Sequence, residues 1–419
     1  MTIKYRLSWG NLMESEIYIN ILYYIFAITF VVGWVVHKTD FCTMGAVSDW
    51  VNMGSTSRLK SWFLAGFSAL LFVTLLDALG FIDGTLTQSN ETANPPYNTS
   101  TFAWLRYVLG GLIFGIGMTI GSGCGNKTLV RIGGGNLKSV VIFLMMAFGA
   151  YLMIFTNFGY DVFLSWTSNF DINLSSYEIP GQDLGSITSL ILPIAPDILK
   201  TIIGIALSSI VIFYLFKDST FRSDKRNILS GLVIGIAVTL VWLITAGMMG
   251  VSLLEEAEMM DARPYALGAQ SLTFVAPSAH ITQYILSDYD LVYITIPVIA
   301  GTGVLIGSFF YGIFNKAFHI EWFQSWQDFF NHLVSGFLMG VGGVLGMGCT
   351  IGQGVTGVST LSTGSFITLF FIIYGSALTM KVRYYQLMYE EDATFIKALM
   401  ASLADLKCIP NKWRMLERV

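Results

Sequence analysis

Cys42, Cys124 and Cys349 are the residues of this chain whose type and setting could do chemistry. Each opens a short segment that breaks away from an apolar run. Gly123 and Gly125 flank Cys124, and Gly348 precedes Cys349 with Gly352 following. A thiol that only packs can be replaced by alanine or serine, so cysteine at three such breaks points to a use for sulfur itself. A neutral thiol is a weak, polarizable donor that a hydroxyl does not reproduce. A thiolate would repel an anion, so the thiols are expected to stay protonated in their apolar surroundings. Half-helices starting near Cys124 and Cys349 would aim backbone N–H groups and positive dipole ends at one region, and the glycines let the backbone approach a ligand. The ligand this implies is an anion carrying sulfur. The softest common anion with an exposed terminal sulfur is thiosulfate.

Other side chains are candidates for the same path. Lys127 and Arg131 follow Cys124 by one and two turns, where they either attract an anion or anchor the helix at a basic membrane face. Asp40 reads as a helix N-cap two residues before Cys42. Thr350 and Gln353 fit a capping box at the Cys349 half-helix. In a third broken stretch Thr273, Ser278 and His280 are the polar candidates, the histidine either satisfied by its surroundings or functional. Cys408 stands apart in the tail. The four cysteines form no CxxC pair and no His-spaced metal pattern, so neither a disulfide framework, a metal site nor a cofactor is expected. No base neighbours the cysteines in sequence and no nucleotide-binding motif is present, which argues against an enzyme and against ATP-driven transport by this chain alone.

These residues must be positioned by membrane helices. With 54% hydrophobic and 12% charged residues over 419, the chain is an all-α polytopic membrane protein. Its net charge of −4 gives no reason to expect nucleic acid as a partner. Nine runs are long enough to cross roughly 30 Å of hydrocarbon: 17–37, 60–82, 102–122, 137–158, 198–216, 228–250, 291–314, 330–347 and 364–380. Four shorter stretches, 41–52, 124–133, 266–286 and 349–360, are too apolar for solvent loops and too broken to span. They are expected to be re-entrant around a central site. Setting Cys124 against Cys349 brings Gly111, Gly115, Gly117, Gly121 and Gly123 opposite Gly336, Gly340, Gly342, Gly346 and Gly348, an internal repeat.

Lysine and arginine concentrate on one side (Lys38, Arg58, Lys60, Lys127, Arg131, Lys138, Lys217, Lys316 and the tail), leaving Lys4, Arg6, Lys200, Arg263 and Asp261 among the charges of the other. The basic side is read as cytoplasmic, with the N-terminus outside and the C-terminus inside. The two repeat copies are then inverted. Run one pairs with six, two with seven, three with eight and four with nine, with the fifth a connector. The Cys42 stretch pairs with 266–286, and Met44-Gly-Ala-Val-Ser48 echoes Met249-Gly-Val-Ser252. The domains follow: 1–216 as a first half with the connector, 217–380 as a second, and 381–419 as an amphipathic cytoplasmic tail that lies on the membrane or docks a partner.

Four stretches carry a specific resemblance: Asp40-Phe-Cys-Thr-Met-Gly-Ala-Val-Ser-Asp49, Gly123-Cys-Gly-Asn-Lys-Thr-Leu-Val-Arg131 with Gly133-Gly-Gly-Asn-Leu-Lys138, Ser271-Leu-Thr-Phe-Val-Ala-Pro277, and Gly348-Cys-Thr-Ile-Gly-Gln-Gly-Val-Thr-Gly357. Together they resemble the loop motifs of the YeeE/YedE family of membrane proteins linked to thiosulfate uptake, a branch of which is associated with selenium. The resemblance implies nine helices with four central loops, and thiosulfate contacting Cys349, Cys124 and Cys42 in turn from outside to inside through S–H···S bonds. The reading is an inner-membrane importer whose driving force is facilitated diffusion, proton coupling or pull from a small cytoplasmic sulfurtransferase bound at the tail. The alternatives are another sulfur or selenium cargo, a membrane sulfurtransferase using a core cysteine, or a protein whose cysteines only pack.

Overall fold

A computed structural model describes residues 15–260, 263–390 and 393–417. Lys4, Arg6, Asp261 and Arg418, counted in the charge asymmetry, lie outside the described residues. The long helices are α1 (Glu16–Thr39), α3 (Ser57–Ala78), α4 (Trp104–Ile120), α6 (Leu137–Phe155), α7 (Pro196–Lys217), α8 (Lys225–Thr245), α11 (Ile296–Phe314), α12 (Trp326–Leu345) and α13 (Thr363–Tyr389). Between them lie the short helices α2 (Thr43–Met53), α5 (Gly125–Gly133), α9 (Met248–Glu258) and α10 (Ala276–Leu286), and α14 (Phe395–Asp405) follows the last. Among the described residues nine helices are long and apolar enough to cross a membrane, and the fold is the all-α polytopic one expected. The only sheet among them is a two-stranded ribbon, Thr101–Phe102 against Ile172–Asn173.

Local signals set the helix ends. Ser15 caps α1 by accepting from the Tyr18 amide at 3.2 Å, Ser325 caps α12 through the Asp328 amide at 3.1 Å, and proline opens α7. Gly54, at φ 67°, closes α2 in the left-handed conformation that glycine adopts without strain.

Packing follows one scheme. α1 lies against α11, and α3 against α8; α4 lies against α13, and α6 against α12. Exchanging run one with six, two with seven, three with eight and four with nine maps each of these contacts onto its partner. The short elements obey the same exchange: α5 packs on α11 as residues 350–360 pack on α3, and α2 packs on α13 as α10 packs on α6. The sequence echo at Met249–Ser252 falls in α9, which packs on α8 and α1, so it does not mark the element standing in α2's place. α7 is a connector pressed on α3, with most of its surface outward.

The glycine steps serve this packing inside the chain. A Cβ built on Gly111 would stand 2.7 Å from the Thr368 carbonyl oxygen in α13, and one on Gly117 would stand 2.9 Å from the Leu338 Cβ in α12. α13 runs to Tyr389, and α14 folds back on it. There Asp405 accepts from Tyr385 at 2.9 Å and Lys381 at 3.2 Å and pairs with Arg414. Leu406 then joins the apolar cluster formed by Val47 of α2 with Ala377 and Met380 of α13.

Candidate transport site

Each of the three cysteines sits where a long helix stops and a short one begins. α4 ends in a turn in which the Gly123 amide bonds the Met118 carbonyl at 2.9 Å; α12 ends in the same turn, Gly348 to Gly343 at 2.7 Å. Ser122 and Met347, each two residues before its cysteine, both take φ 59°. This left-handed corner, unusual for residues with a Cβ, swings the chain back and delivers the cysteine at the start of the next helix. At the end of α1, Asp40 takes the left-handed conformation, so it closes that helix and is not an N-cap. The cap of α2 is Cys42, whose Sγ accepts from the Gly45 amide at 3.5 Å.

The same correction holds at Cys349. Its Sγ accepts from the Gly352 amide at 3.4 Å and its carbonyl from the Gln353 amide at 2.8 Å, so the cap is the cysteine and not a Thr350 capping box. Gln353 reaches back to the Gly346 carbonyl at 2.6 Å and stitches the half-helix to the end of α12. That half-helix, residues 350–360, is π-wound over Gly352–Gly357 and finishes as a 3-10 turn at Val358–Thr360. Such winding is frequent at functional sites. Cys124 precedes α5 in extended conformation, its sulfur beside the Lys127 amide. In all three the sulfur thus stands over the first turn of a helix, where unpaired amides and the positive dipole end favour negative charge.

The three thiols are buried, at 6%, 2% and 0% exposure for Cys42, Cys124 and Cys349. Cys42 and Cys124 are electrostatic neighbours, and the Thr350 hydroxyl neighbours the Cys124 sulfur without bonding it. Cys349 is reached by the Thr273 hydroxyl and the Phe274 backbone, which lead into α10. Four short helices therefore start around one buried waist. α10 has Val275 at its cap in place of a cysteine. The first turn of each cysteine-capped helix also carries a buried side-chain oxygen without a hydrogen-bond partner: Thr43 Oγ1, Asn126 Oδ1 and Thr350 Oγ1. Unsatisfied buried polar atoms are rare, and three beside three thiols are polar groups available to a guest.

Two cavities approach this waist. On the Cys124 side a cavity of about 420 Å³ is lined by Ser122, Lys127, Arg131, Lys138, His37 and His332, with Asp40, Glu321 and Asp328. On the Cys349 side a cavity of about 470 Å³ is lined by Met347, Arg106, Tyr107, Ala103, Pro96 and Glu91. The register that sets Cys124 against Cys349 also sets Ser122 against Met347, Tyr107 against His332, Ala103 against Asp328 and Pro96 against Glu321. The linings are thus related at these four positions. A larger space of about 930 Å³, around Asp77, Lys200 and Glu255, lies away from the cysteines.

The candidates divide. Gly123, Gly125, Gly348, Thr273, Thr350 and Gln353 stand at the thiols. A Cβ on Gly125 would meet the Phe274 carbonyl and Met146 Sδ at 3.6 Å, and one on Gly348 would meet Gln353 Cγ at 3.1 Å. Lys127 is buried and pairs with Asp40, which also meets Arg58 at 3.4 Å; Arg58 in turn meets Asp49 at 2.8 Å. This chain of charges straps α5 to α2 beside the Cys42–Cys124 contact. Ser278 and His280 are turned elsewhere. The Ser278 hydroxyl donates to the Val275 carbonyl at 2.6 Å, and His280 meets Thr295 at 3.0 Å and packs against Tyr265 and Phe155. Cys408 is exposed beside Tyr374, remote in sequence from the capped helices. Sequence reasoning missed Tyr97, whose hydroxyl donates to the Gly352 carbonyl at 2.8 Å within the Cys349 half-helix. It lies in the loop 83–101, outside every motif.

Residues 38–378 match the model of a family described as sulphur transport. The chain is 25% identical over 352 residues to the thiosulfate transporter TsuA of Escherichia coli (strain K12), covering 82% of this chain and 89% of that one. It is 23% identical over 352 residues to the thiosulfate transporter TsuA of Spirochaeta thermophila, covering 83% and 94%. Nine membrane-length helices, cysteine-capped breaks and this match together place the protein among transporters and not enzymes: it is a multi-pass membrane protein that belongs to the sulphur transport family, the YeeE/YedE proteins.

Proposed function

We propose that this chain imports thiosulfate across the inner membrane, the anion passing Cys349, Cys124 and Cys42 in that order. The observation that carries the reading is the waist: three buried thiols, each over a helix N-terminus, between two register-related cavities. Helix N-termini and unpaired hydroxyls stabilise the oxyanion end, and the thiols meet the terminal sulfur as neutral donors. Both related transporters carry thiosulfate in their names, which supports the cargo. In this reading the four short helices are re-entrant, and 1–216 and 217–380 are inverted halves, which the exchange-symmetric packing supports. The cation-rich Cys124 side faces the cytoplasm, as the positive-inside rule favours. The tail, residues 381–419, lies on that side, where a small sulfurtransferase would receive the cargo.

Uptake of labelled thiosulfate into cells without other thiosulfate or sulfate importers tests this. Wild type is expected to accumulate label, Cys349→Ala, Cys124→Ala and Cys42→Ala to lose uptake at matched membrane levels, and Cys408→Ala to retain it. Wild type that moves no thiosulfate overturns the cargo; harmless core alanines overturn the thiol path.

A further inference from the structure

Arg106 lies in the first turn of α4, on the wall of the Cys349-side cavity that Met347, two residues from Cys349, also lines. Its Nε is fully buried and has no hydrogen-bond partner, and no ion pair reaches the guanidinium among the described residues. The nearest acidic influence is Asp171, placed beside the start of α4 by the ribbon Thr101–Phe102 with Ile172–Asn173. That carboxylate too leaves Oδ1 buried and unpartnered, so the two charges feel each other without bonding. Glu91 also borders the cavity, but it is exposed at the rim. A buried Nε left unpaired is costly, and the planar donor fork of this half-buried guanidinium matches a tetrahedral oxyanion better than any other side chain does. The register that relates the two cavities sets Asn331 against Arg106, so this cation has no counterpart in the other half.

We infer that Arg106, with the Cys349-side cavity around it, forms a capture site for a tetrahedral sulfur oxyanion, thiosulfate or sulfate alike, that loads the first thiol. The inference rests on the transport reading for its role in flux, and on the cavity alone for binding. The site holds the oxygens and leaves the terminal sulfur free to turn toward Cys349, so the cavity selects oxyanions and the thiols select sulfur.

Purified protein reconstituted in vesicles, with thiosulfate uptake measured over a concentration series, gives KM and Vmax. Arg106→Gln is expected to raise KM about 10- to 100-fold, the worth of a charge-assisted pair, and to leave Vmax within about twofold. Arg106→Lys keeps the charge without the fork and is expected to lie between, and Asp171→Asn to lower KM. Equilibrium dialysis of the purified proteins with labelled thiosulfate and with labelled sulfate reads the site without flux. Both anions are expected to bind wild type and to be lost from Arg106→Gln. Vesicles that move no thiosulfate while dialysis shows Arg106-dependent binding defeat the transport reading and leave the site standing. A KM for Arg106→Gln within twofold of wild type, equal oxyanion binding in the two proteins, or no oxyanion binding to wild type overturns the site. Arg106→Lys, monodisperse on size exclusion, covers the case in which the glutamine variant fails to fold.

Discussion

Replacing Cys349 by alanine and, separately, by serine separates a thiol that caps a helix from one that handles cargo. The sulfur is fully buried and accepts from the Gly352 amide at 3.4 Å, with the Thr273 hydroxyl and Phe274 backbone close by. Alanine deletes the cap, which costs about 0.5–2 kcal/mol, and adds the small cavity of one missing atom. Serine restores an acceptor in the same place, and oxygen is the better helix cap, so its stability is expected within about 1 kcal/mol of wild type. Flux behaves differently if the thiol is a station for the terminal sulfur. Losing a bond to a charged guest costs about 1.5–3 kcal/mol, which lowers uptake efficiency about 10- to 150-fold. Serine does not recover it, because a hydroxyl offers a hard, strongly hydrated donor to a soft acceptor. The assay is labelled thiosulfate uptake at matched protein, beside thermal unfolding followed by tryptophan fluorescence. Alanine should lose both properties, and serine only flux. A serine variant with uptake within twofold of wild type would show that Cys349 does no more than cap its helix.

The strap between Asp40 and Lys127 can be measured by a double-mutant cycle with Asp40→Asn and Lys127→Met. Lys127 is buried while the Asp40 side chain is half exposed, so a coupling of about 1 kcal/mol is expected, below that of a fully buried pair; a coupling of zero refutes the strap. Gly115→Val would drive a side chain into the Ile372 and Ser376 backbone of α13 and is expected to cost at least about 1–3 kcal/mol and most of the folded yield. Gly301→Ala, with only Leu129 Cδ1 near at 3.7 Å, should be harmless, and equal yields would refute the close crossing. At the tail, burial alone would raise the Asp405 carboxyl, but bonds from Tyr385, Arg414 and Lys381 hold it below the ordinary range. A depressed folded value stabilises docking above the unfolded value near about pH 4 and loses that as pH falls through the folded one. Proteolysis at the tail should therefore quicken on acidification below about pH 4 in wild type and be fast at all pH in Asp405→Asn.

The long helices were legible because apolar length needs no tertiary context: every one of the nine runs reappears with ends shifted by a few residues or, for α13, by nine. The cysteines were legible for a related reason, since a break between helices leaves a local mark of glycine and small polar residues. What the sequence hid was which side chain does which job at those breaks. Capping patterns are written for hydroxyls and carboxylates, so Thr350 and Asp40 were read as caps, while the sulfurs of Cys349 and Cys42 occupy that place. The destinations of Ser278 and His280 depend on Val275, Thr295 and Tyr265, and no local spacing encodes that. Tyr97 was passed over because its bond to Gly352, 255 positions away, exists only after the helices pack, and the cavity that Arg106 shares with Met347 likewise forms only then.

Asymmetry between the two ends of the path is a property that the proposed inverted halves cannot supply by themselves, because exchanging them turns one cavity into the other. On the proposed reading it has to come from positions where the exchange fails. Glu321, Asp328 and His332 on the Cys124 side face Pro96, Ala103 and Tyr107 on the other, so titratable groups stand on one side and neutral ones at the matching places. Cys42 has no cysteine partner either, since Val275 stands at the cap of α10. On that reading a thiosulfate ion would meet one guanidinium and one thiol at the Cys349 end, and two neighbouring thiols with Lys127, Arg131 and Lys138 beyond them at the other. More donors on the Cys124 side would hold the anion more tightly there, while net direction follows the concentration gradient or a coupled step. The carboxylates of Asp40, Glu321 and Asp328 oppose capture there and favour release. A path that binds in steps and lets go at the end needs both, and in this chain both lie where the two halves differ.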